Sequence, residues 1–363
     1  MRIASVVGTR PQLIKAAALE PALRARFDTY LIDTGQHYDD AMAGSFFREL
    51  GLRRPEHDLG IGGGSGSDQT GRMLIALDPV LASIGPDAIL VYGDTNTTLA
   101  AALVAAKQGI PIAHVEAGLR SFDRRMPEEI NRLVADHLAR WRFAPTPAAV
   151  ANLAAEGIVD GVVQVGDVMQ DLAARTAAEV RDPGVLAAVD PDLRPGRYLF
   201  ATIHRAENRE PAAMAAWAAL LSAVARPERP VLLALHPGTR AALDAVAIQL
   251  SSDVNVIEPQ GYRTTLALQL HAAAVLTDSG GVQREAAWLR VPCLILRGTT
   301  EWVEALAGSG GTMVVVGLDA SRATAELERL APTATAEADA RARAADLRLE
   351  PAGAVDAIVA ALG

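Results

Sequence analysis

The feature that most restricts how this chain can fold is its periodicity: apolar runs of a few residues alternate from end to end with longer amphipathic stretches. Residues 3–7, 29–33, 88–92, 112–115 and 162–165 read as buried strands. Residues 11–26, 39–50, 70–84, 97–108 and 127–140 carry helical spacing between them. Alternation of this kind specifies a parallel sheet with crossover helices. After Gly166 the pattern starts again, with strands at 198–203, 231–235, 254–257, 274–277, 293–296 and 313–316. A chain of 363 residues also exceeds the roughly 250–300 at which one core stops growing. The expectation is two doubly wound α/β domains, 1–167 and 168–350, joined near residues 166–170. The Pro/Gly/Asp-rich stretch 182–196 reads as a lead into the second sheet, 60–68 (GIGGGSGSD) as a mobile surface loop, and 331–348 as a solvated helix.

Composition then removes several classes of function. Half the residues are hydrophobic and 21% are charged, which suits a globular chain with a large core. The net charge of −9 argues against a nucleic-acid binder, yet leaves room for a small phosphorylated ligand held by a few cations. A single cysteine, Cys293, excludes an internal disulfide framework and a cysteine-based zinc site, and its apolar neighbours place it in the core. No run approaches the ~20 apolar residues of a membrane span, and the N-terminal apolar run is too short for a signal peptide. We expect a cytoplasmic protein with no membrane or nucleic-acid partner.

In open α/β sheets ligands sit beyond the carboxyl ends of the strands, and this sequence concentrates its polar residues there. The first strand runs into Gly8-Thr9-Arg10-Pro11, with Pro11 suited to the first helical position. Arg10 and Lys15 then form either a two-cation phosphate site or the surface cations of an ordinary βα turn. The strand 88–92 ends in Gly93-Asp94-Thr95, where Asp94 taken alone is a helix N-cap. The strand 112–115, which holds His114, ends in Glu116; no capping role explains that carboxylate, and burying it without a partner is costly. Glu128 and Glu129 open the next helix, where an acidic first turn suits the helix dipole. Taken together, Asp94, Glu116 and Glu128 form the kind of carboxylate group that supplies acid and base for proton transfer.

The second half repeats the arrangement. The strand 198–203 ends in His204-Arg205-Ala206-Glu207-Asn208, where a ligand contact is favoured over a purely structural histidine. His236-Pro237-Gly238 follows another strand with fewer polar neighbours. The sharpest segment is Asp278-Ser279-Gly280-Gly281, a strand end running into a helix, with free N–H groups and a positive dipole at one point. Glu285 lies one turn further in, placed to accept the hydroxyls of a ribose. A capped helix start explains Ser279 but not the paired glycines. No GxGxxG follows a strand, no GxxxxGK[ST] occurs, and no cluster has metal-ligand spacing. The reading is a phosphate ligand with no cofactor: no bound nicotinamide and no metal.

In chain order, GTRPQLIK (8–15), TGQHYD (34–39), GDTNTT (93–98), HVEAGLRSFD (114–123), MPEEINR (126–132), HRAEN (204–208) and DSGGVQREA (278–286) resemble the motifs of the non-hydrolysing UDP-N-acetylglucosamine 2-epimerases. The resemblance spans roughly residues 8–305. It implies the GT-B fold, two Rossmann-like domains facing a central cleft, with the C-terminal helix 351–363 packing back on the first. It implies a UDP-sugar substrate, a homodimer, and a place in making cell-surface polysaccharide precursors. The C2 hydrogen of such a sugar is not beside a carbonyl, and oxidation would need a nicotinamide site. The remaining route expels UDP from C1 and removes the C2 proton, giving a 2-acetamidoglucal to which UDP re-adds. Carried over by motif, Asp94, Glu116 and Glu128 match the family's catalytic acids, and His204 the histidine that helps bind and release UDP. Arg10, Lys15 and Arg205 lie on the nucleotide-sugar side. Ser279, Gly280 and Gly281 match the phosphate turn, and Glu285 the ribose ligand. The roles of acid and base stay open among the three carboxylates.

A hydrolysing relative that traps the glucal with water, a glycosyltransferase of the same fold, a catalytically silent nucleotide-sugar sensor, and an epimerase of a modified UDP-sugar are the competing readings. The chain also departs from the family pattern. Many members read TERPE where this one has Thr300-Glu301-Trp302-Val303-Glu304, and Arg284 replaces a frequent glutamate. Tyr262-Arg263-Thr264-Thr265 lacks the aromatic or methionine often placed after that tyrosine. Tyr38-Asp39 follows Gln36-His37, so the allosteric UDP-sugar site of some bacterial members is not assumed.

Overall fold

The computed structural model describes residues 1–36, 49–203, 205–235, 237–246 and 248–363. The chain divides into two compact units, Met1–Leu172 together with Glu350–Gly363, and Ala173–Leu349. In the first, strands β1 (Arg2–Val7), β2 (Asp28–Asp33), β3 (His57–Asp58), β4 (Ala88–Tyr92), β5 (Ile112–Val115), β6 (Trp141–Ala144) and β7 (Val162–Gln164) pair in the order β3-β2-β1-β4-β5-β6-β7. Every pairing is parallel. Helices α1 (Arg10–Arg24), α2 (Gly66–Ile84), α3 (Asn96–Gln108), α4 (Pro127–Leu138) and α5 (Pro147–Ala155) connect them. Helix α6 (Val168–Val180) begins in this unit and ends in the next.

The second unit contains β8 (Leu199–Ile203), β9 (Val231–Leu235), β10 (Val254–Ile257), β11 (Ala274–Thr277), β12 (Cys293–Ile295) and β13 (Met313–Val315), in the order β10-β9-β8-β11-β12-β13 and again all parallel. Its helices are α7 (Pro211–Val224), α8 (Pro237–Ala245), α9 (Tyr262–His271), α10 (Gly280–Trp288), α11 (Val303–Gly308), α12 (Ala320–Leu330) and α13 (Ala336–Ala345). The last helix, α14 (Ala354–Leu362), packs against α1 of the first unit.

Burial explains why apolar runs became strands and amphipathic stretches became helices. β4 and β5 are buried at every position, as a sheet covered on both faces requires. On α2, Met73, Leu77 and Leu81 recur every four residues and are fully buried; each such side chain contributes about 1.5–3 kcal/mol. Alanine does the complementary work on α3, where fully buried Ala100, Ala101 and Ala102 let the helix sit against both α2 and α4. In the second unit Trp217 is fully buried and donates its indole N–H to the Asn208 carbonyl at 3.0 Å. Cys293 is core filling, with burial pushing its thiol up to about 12.

Both sheets reverse their winding direction, between β1 and β4 in the first and between β8 and β11 in the second. The crevice beyond the carboxyl ends of the strands at such a point is the usual ligand position of doubly wound sheets. The segments at those four strand ends are Gly8-Thr9-Arg10, Gly93-Asp94, Arg205 and Asp278-Ser279-Gly280.

Several local expectations are corrected. Residues 60–68 are not all loop: α2 starts at Gly66, capped by the Ser65 hydroxyl, which accepts the Asp68 N–H at 3.3 Å. Glycine content hid that Ser-x-x-Asp cap. Strands β3 and β6 went unread, because His57–Asp58 is only two residues long and Trp141–Ala144 is broken by an arginine. Pro11 occupies the second helical position, not the first; Thr9 is the N-cap and Gln12 returns a bond to the Thr9 N–H at 3.2 Å. The 331–348 helix is confined to Ala336–Ala345, and Ala336, Ala340 and Ala344 form a buried face. Most of the predicted helix 39–50 lies outside the described residues.

Candidate active site

In the first unit, the loop after β5 begins with Glu116 in the left-handed backbone region, at φ +75°. A non-glycine residue held there costs on the order of 1–3 kcal/mol and persists only where its surroundings over-determine it. Here the Glu116 and Ala117 N–H groups both donate to the Phe143 carbonyl at 3.1 Å. The Glu116 carboxylate, thus aimed, accepts from Lys15 Nζ at 2.8 Å, a pair whose side chains are only 7% and 11% exposed. Gly93, at the end of β4, has φ +61°, and a Cβ there would lie 3.2 Å from Lys15 Nζ. Glycine at 93 therefore lets the two strand ends and α1 converge.

Asp94 is not the cap of α3. Thr95 is, its hydroxyl accepting the Thr98 N–H at 3.3 Å. The Asp94 carboxylate instead pairs with Arg132 Nη2, and Asn131 Nδ2 donates to the Asp94 carbonyl at 2.8 Å. Arg132 also reaches Glu129 Oε2 at 2.9 Å through Nη1, so a single guanidinium bridges two carboxylates. Glu128 and Glu129, adjacent in sequence, have different surroundings. Glu129 is buried and accepts from Ser121 N and Oγ at 2.8 and 2.9 Å and from Phe122 N at 3.0 Å. Burial raises its pKa, but those bonds and Arg132 outweigh it and hold the carboxyl below its ordinary value. Glu128 is half-buried and has no hydrogen-bond or ion-pair partner among the described residues.

A buried chain of polar groups lies behind these residues. His114 is fully buried, with Nε2 2.7 Å from the Gly93 carbonyl and Nδ1 2.7 Å from Asp136 Oδ1. Asp136 Oδ2 is 2.8 Å from Arg120 Nη1, and Arg120 grips Glu156 at 2.7 and 2.8 Å. Burial raises the Asp136 pKa, yet His114 and Arg120 outweigh it and keep the group ionised. The ring thus bridges the Gly93 carbonyl and the Asp136 carboxylate. The ring thereby anchors the Gly93 turn to α4.

In the second unit, fully buried Asp278 joins the loops after β8 and β11. Its Oδ2 accepts the Arg205 N–H at 3.0 Å and Asn208 Nδ2 at 2.7 Å. The Arg205 guanidinium donates to the Asp278 carbonyl at 3.2 Å and lies 3.4 Å from Glu301 Oε1. Ser279 caps α10, its hydroxyl accepting the Val282 N–H at 3.4 Å. The N–H groups of Gly280 and Gly281 donate to no group among the described residues, which leaves two amides and the helix dipole at one point. Gly280 is glycine for a packing reason: a Cβ would lie 2.6 Å from Glu301 Oε1 and 3.0 Å from Trp302 Nε1. A Cβ at Gly281 would meet only Ser279 Oγ, at 3.8 Å. Glu285 is buried in α10 and accepts from Gln269 Nε2 at 2.5 Å. Burial opposes the charge of Glu301, but Arg297 at 2.7 Å and Arg205 lower its pKa.

The structure thus places Lys15, Asp94, Glu116 and Glu128 on the first unit, and Arg205, Ser279, Gly280, Gly281 and Glu285 on the second. Arg10 is the half-buried first residue of α1. His204 lies outside the described residues, as do His37, Tyr38 and Asp39 of the TGQHYD segment and His236. The sequence reading passed over Arg132 and Asp136. Their signal was present: Glu129, Arg132 and Asp136 recur at helical spacing, and this charged face of α4 is the buried one. Among the described residues no group of His, Cys, Asp and Glu is assembled to hold a metal ion, and no helix is long and apolar enough to cross a membrane. Chemically, the first unit carries carboxylates paired with cations, suited to moving protons, and the second an N–H-rich seat suited to an anion.

A family model described as UDP-N-acetylglucosamine 2-epimerase matches residues 21–358. The chain is 40% identical over 336 residues to a UDP-N-acetylglucosamine 2-epimerase homolog of Methanococcus maripaludis, covering 92% of this chain and 93% of that one. It is 42% identical over 320 residues to the UDP-2,3-diacetamido-2,3-dideoxy-D-glucuronate 2-epimerase of Pseudomonas aeruginosa, covering 86% and 88%. Among solved structures it resembles Methanocaldococcus jannaschii UDP-GlcNAc 2-epimerase in complex with UDP-GlcNAc and UDP. The TM-score is 0.87 at 35% identity, over 100% of this chain and 99% of that one.

Proposed function

The chain belongs to the UDP-N-acetylglucosamine 2-epimerase family, and from that premise we propose that it interconverts UDP-N-acetylglucosamine and UDP-N-acetylmannosamine without net hydrolysis. The observation that carries this reading is the carboxylate set of the first unit. Asp94 is held by Arg132, Glu116 is held by Lys15 in a strained backbone, and Glu128 has no partner among the described residues.

In the proposed reaction the C1–O bond breaks and UDP departs with the electron pair. The developing positive charge at C1 acidifies C2–H, a carboxylate takes that proton, and a 2-acetamidoglucal forms. UDP oxygen then re-adds at C1 while a proton is delivered to the opposite face of C2. Asp94, Glu116 and Glu128 are the candidates for these proton transfers. Ser279, the Gly280 and Gly281 amides and Arg205 stabilise the negative charge of the departing diphosphate, with Arg10 and His204 assigned to the same nucleotide. Glu285 accepts from the ribose. A homodimeric, cytoplasmic enzyme is part of the proposal.

The relative named as acting on UDP-2,3-diacetamido-2,3-dideoxy-D-glucuronate supports a second reading, in which a modified UDP-sugar of that kind is the substrate. One NMR experiment in D2O with each sugar tests both. Deuterium entering C2 while UDP remains attached is the expected result, and the sugar with the larger kcat/KM is the substrate. Accumulation of free UDP and N-acetylmannosamine selects hydrolysis instead. Turnover without deuterium at C2 overturns the elimination route.

A further inference from the structure

Trp302 stands where many members of the family have the arginine of TERPE, and Arg284 where they often have a glutamate. In this structure the two departures meet. The Arg284 guanidinium lies 3.9 Å from the centroid of the Trp302 ring, a cation–π stack, and both residues are 5% exposed. The stack fixes the ring with its nitrogen edge toward the start of α10, Nε1 being 3.0 Å from where a Cβ on Gly280 would lie.

Trp302 makes a backbone bond to Thr300 Oγ1 at 3.2 Å, but its indole N–H donates to no group among the described residues. Nearby Glu301 does not take it: Oε2 of that carboxylate is held by Arg297 at 2.7 Å, and Oε1 faces Arg205 at 3.4 Å. Although the Trp302 ring is almost wholly buried, its nitrogen is not sealed from solvent, so an acceptor brought by a ligand can reach it. Here it stands beside two other unmatched donors, the amides of Gly280 and Gly281, with Arg205, Arg284 and Arg297 on the same unit. Donors without acceptors, gathered at a helix N-terminus, define a place for an anion that brings its own oxygens.

We propose that the Nε1–H of Trp302 is a direct donor to the diphosphate of the bound nucleotide, and that Arg284 acts as the residue positioning it. The proposal rests on the reading that the start of α10 seats UDP. It assigns a binding role to Trp302, at a position where many members of the family carry arginine. The Arg284 guanidinium lies against the Trp302 ring at 3.9 Å and against Trp288 at 5.8 Å, so its part here is to hold the indole in place.

The test is calorimetric binding of UDP and of uridine to the wild-type protein, Trp302→Phe and Trp302→His. Phenylalanine keeps the ring over Arg284 and removes the donor; histidine restores a ring N–H. The expected result is a UDP Kd raised about tenfold in Trp302→Phe, with uridine affinity and Tm unchanged and a substantial part of the loss recovered by histidine. UDP binding by Trp302→Phe equal to wild type overturns the proposal. So does an equal loss of UDP and uridine, or a fall in Tm matching the loss, either of which makes the ring structural. Failure of the wild-type protein to bind UDP at all overturns the nucleotide reading itself, which is a distinguishable outcome.

Discussion

Lys15 Nζ lies 2.8 Å from Glu116 Oε1, and both side chains are almost wholly withdrawn from solvent. The cation comes from the second turn of α1 and the carboxylate from the end of β5. Removing one member leaves the other charged and buried, an arrangement that typically costs about 3–5 kcal/mol. Lys15→Met is therefore expected to lower both denaturant stability and turnover. Glu116→Gln, which keeps an acceptor for the ammonium, is expected to lose turnover with a smaller loss of stability. Urea melts and kcat for the two variants measure the contrast, and equal stability losses contradict it.

Glu128 and Glu129 should separate cleanly. Glu129 satisfies two backbone N–H groups, a hydroxyl and Arg132, so Glu129→Ala is expected to cost about 2–4 kcal/mol in stability. The Glu128 side chain holds no partner among the described residues, so Glu128→Gln is expected to leave Tm unchanged while kcat falls by about 10²–10⁴-fold. Thermal melts beside steady-state kinetics decide it.

The paired glycines should also differ. Gly280→Ala drives a Cβ to 2.6 Å from Glu301 Oε1 and is expected to lower Tm and weaken UDP binding together. Among the described residues beyond its own helix backbone, a Cβ at Gly281 meets nothing closer than Ser279 Oγ at 3.8 Å, and alanine is the better helix former, so Tm is expected to hold or rise in Gly281→Ala. Loss of UDP affinity in Gly281→Ala alone would then report crowding of the ligand itself. Calorimetry with UDP reads it directly.

Asp33, at the end of β2, carries a pH signature. Burial raises its pKa from 3.8 to about 6, opposed by the bond from the Gly35 N–H and reinforced by Asp58, its register partner on β3. Between about pH 4 and 6 the folded state binds more protons at Asp33 than the unfolded chain, so this residue's contribution to stability falls as pH rises through that window. Asp33→Asn is expected to remove that decline and to stabilise the protein at pH 7 by about 1–3 kcal/mol. Urea unfolding at pH 4, 5, 6 and 7 measures the slope.

Much of the fold was legible because its signals are local. Four predicted strands of the second half, from Val231–Leu235 through Cys293–Ile295, appear within a residue of their expected ends; for the inner ones, a strand covered on both faces must be apolar at nearly every position. Short or interrupted strands gave no such signal, which is why Trp141–Ala144 was missed. In the candidate site, residue types at strand ends were readable but their partners were not. Asp94 looked like a cap because Thr95, the residue that caps, is its neighbour. Arg132 and Asp136 were passed over, because charge on a helix usually marks solvent, whereas here that face is buried.

By itself, then, the sequence determined the class of fold, two parallel sheets wound in both directions, and the strand ends at which its chemistry collects. Tertiary structure alone decided which carboxylate meets which cation. Lys15 and Glu116 lie 101 residues apart, and Asp94 and Arg132 38 apart. Nothing local encodes such pairings; they exist only after the sheet brings neighbouring strand ends together. The same holds for Trp302, whose indole becomes an unmatched donor only once Arg284 has fixed its plane beside Gly280. Periodicity in a sequence reports burial, whereas the partner of a buried charge is set by which strands lie side by side.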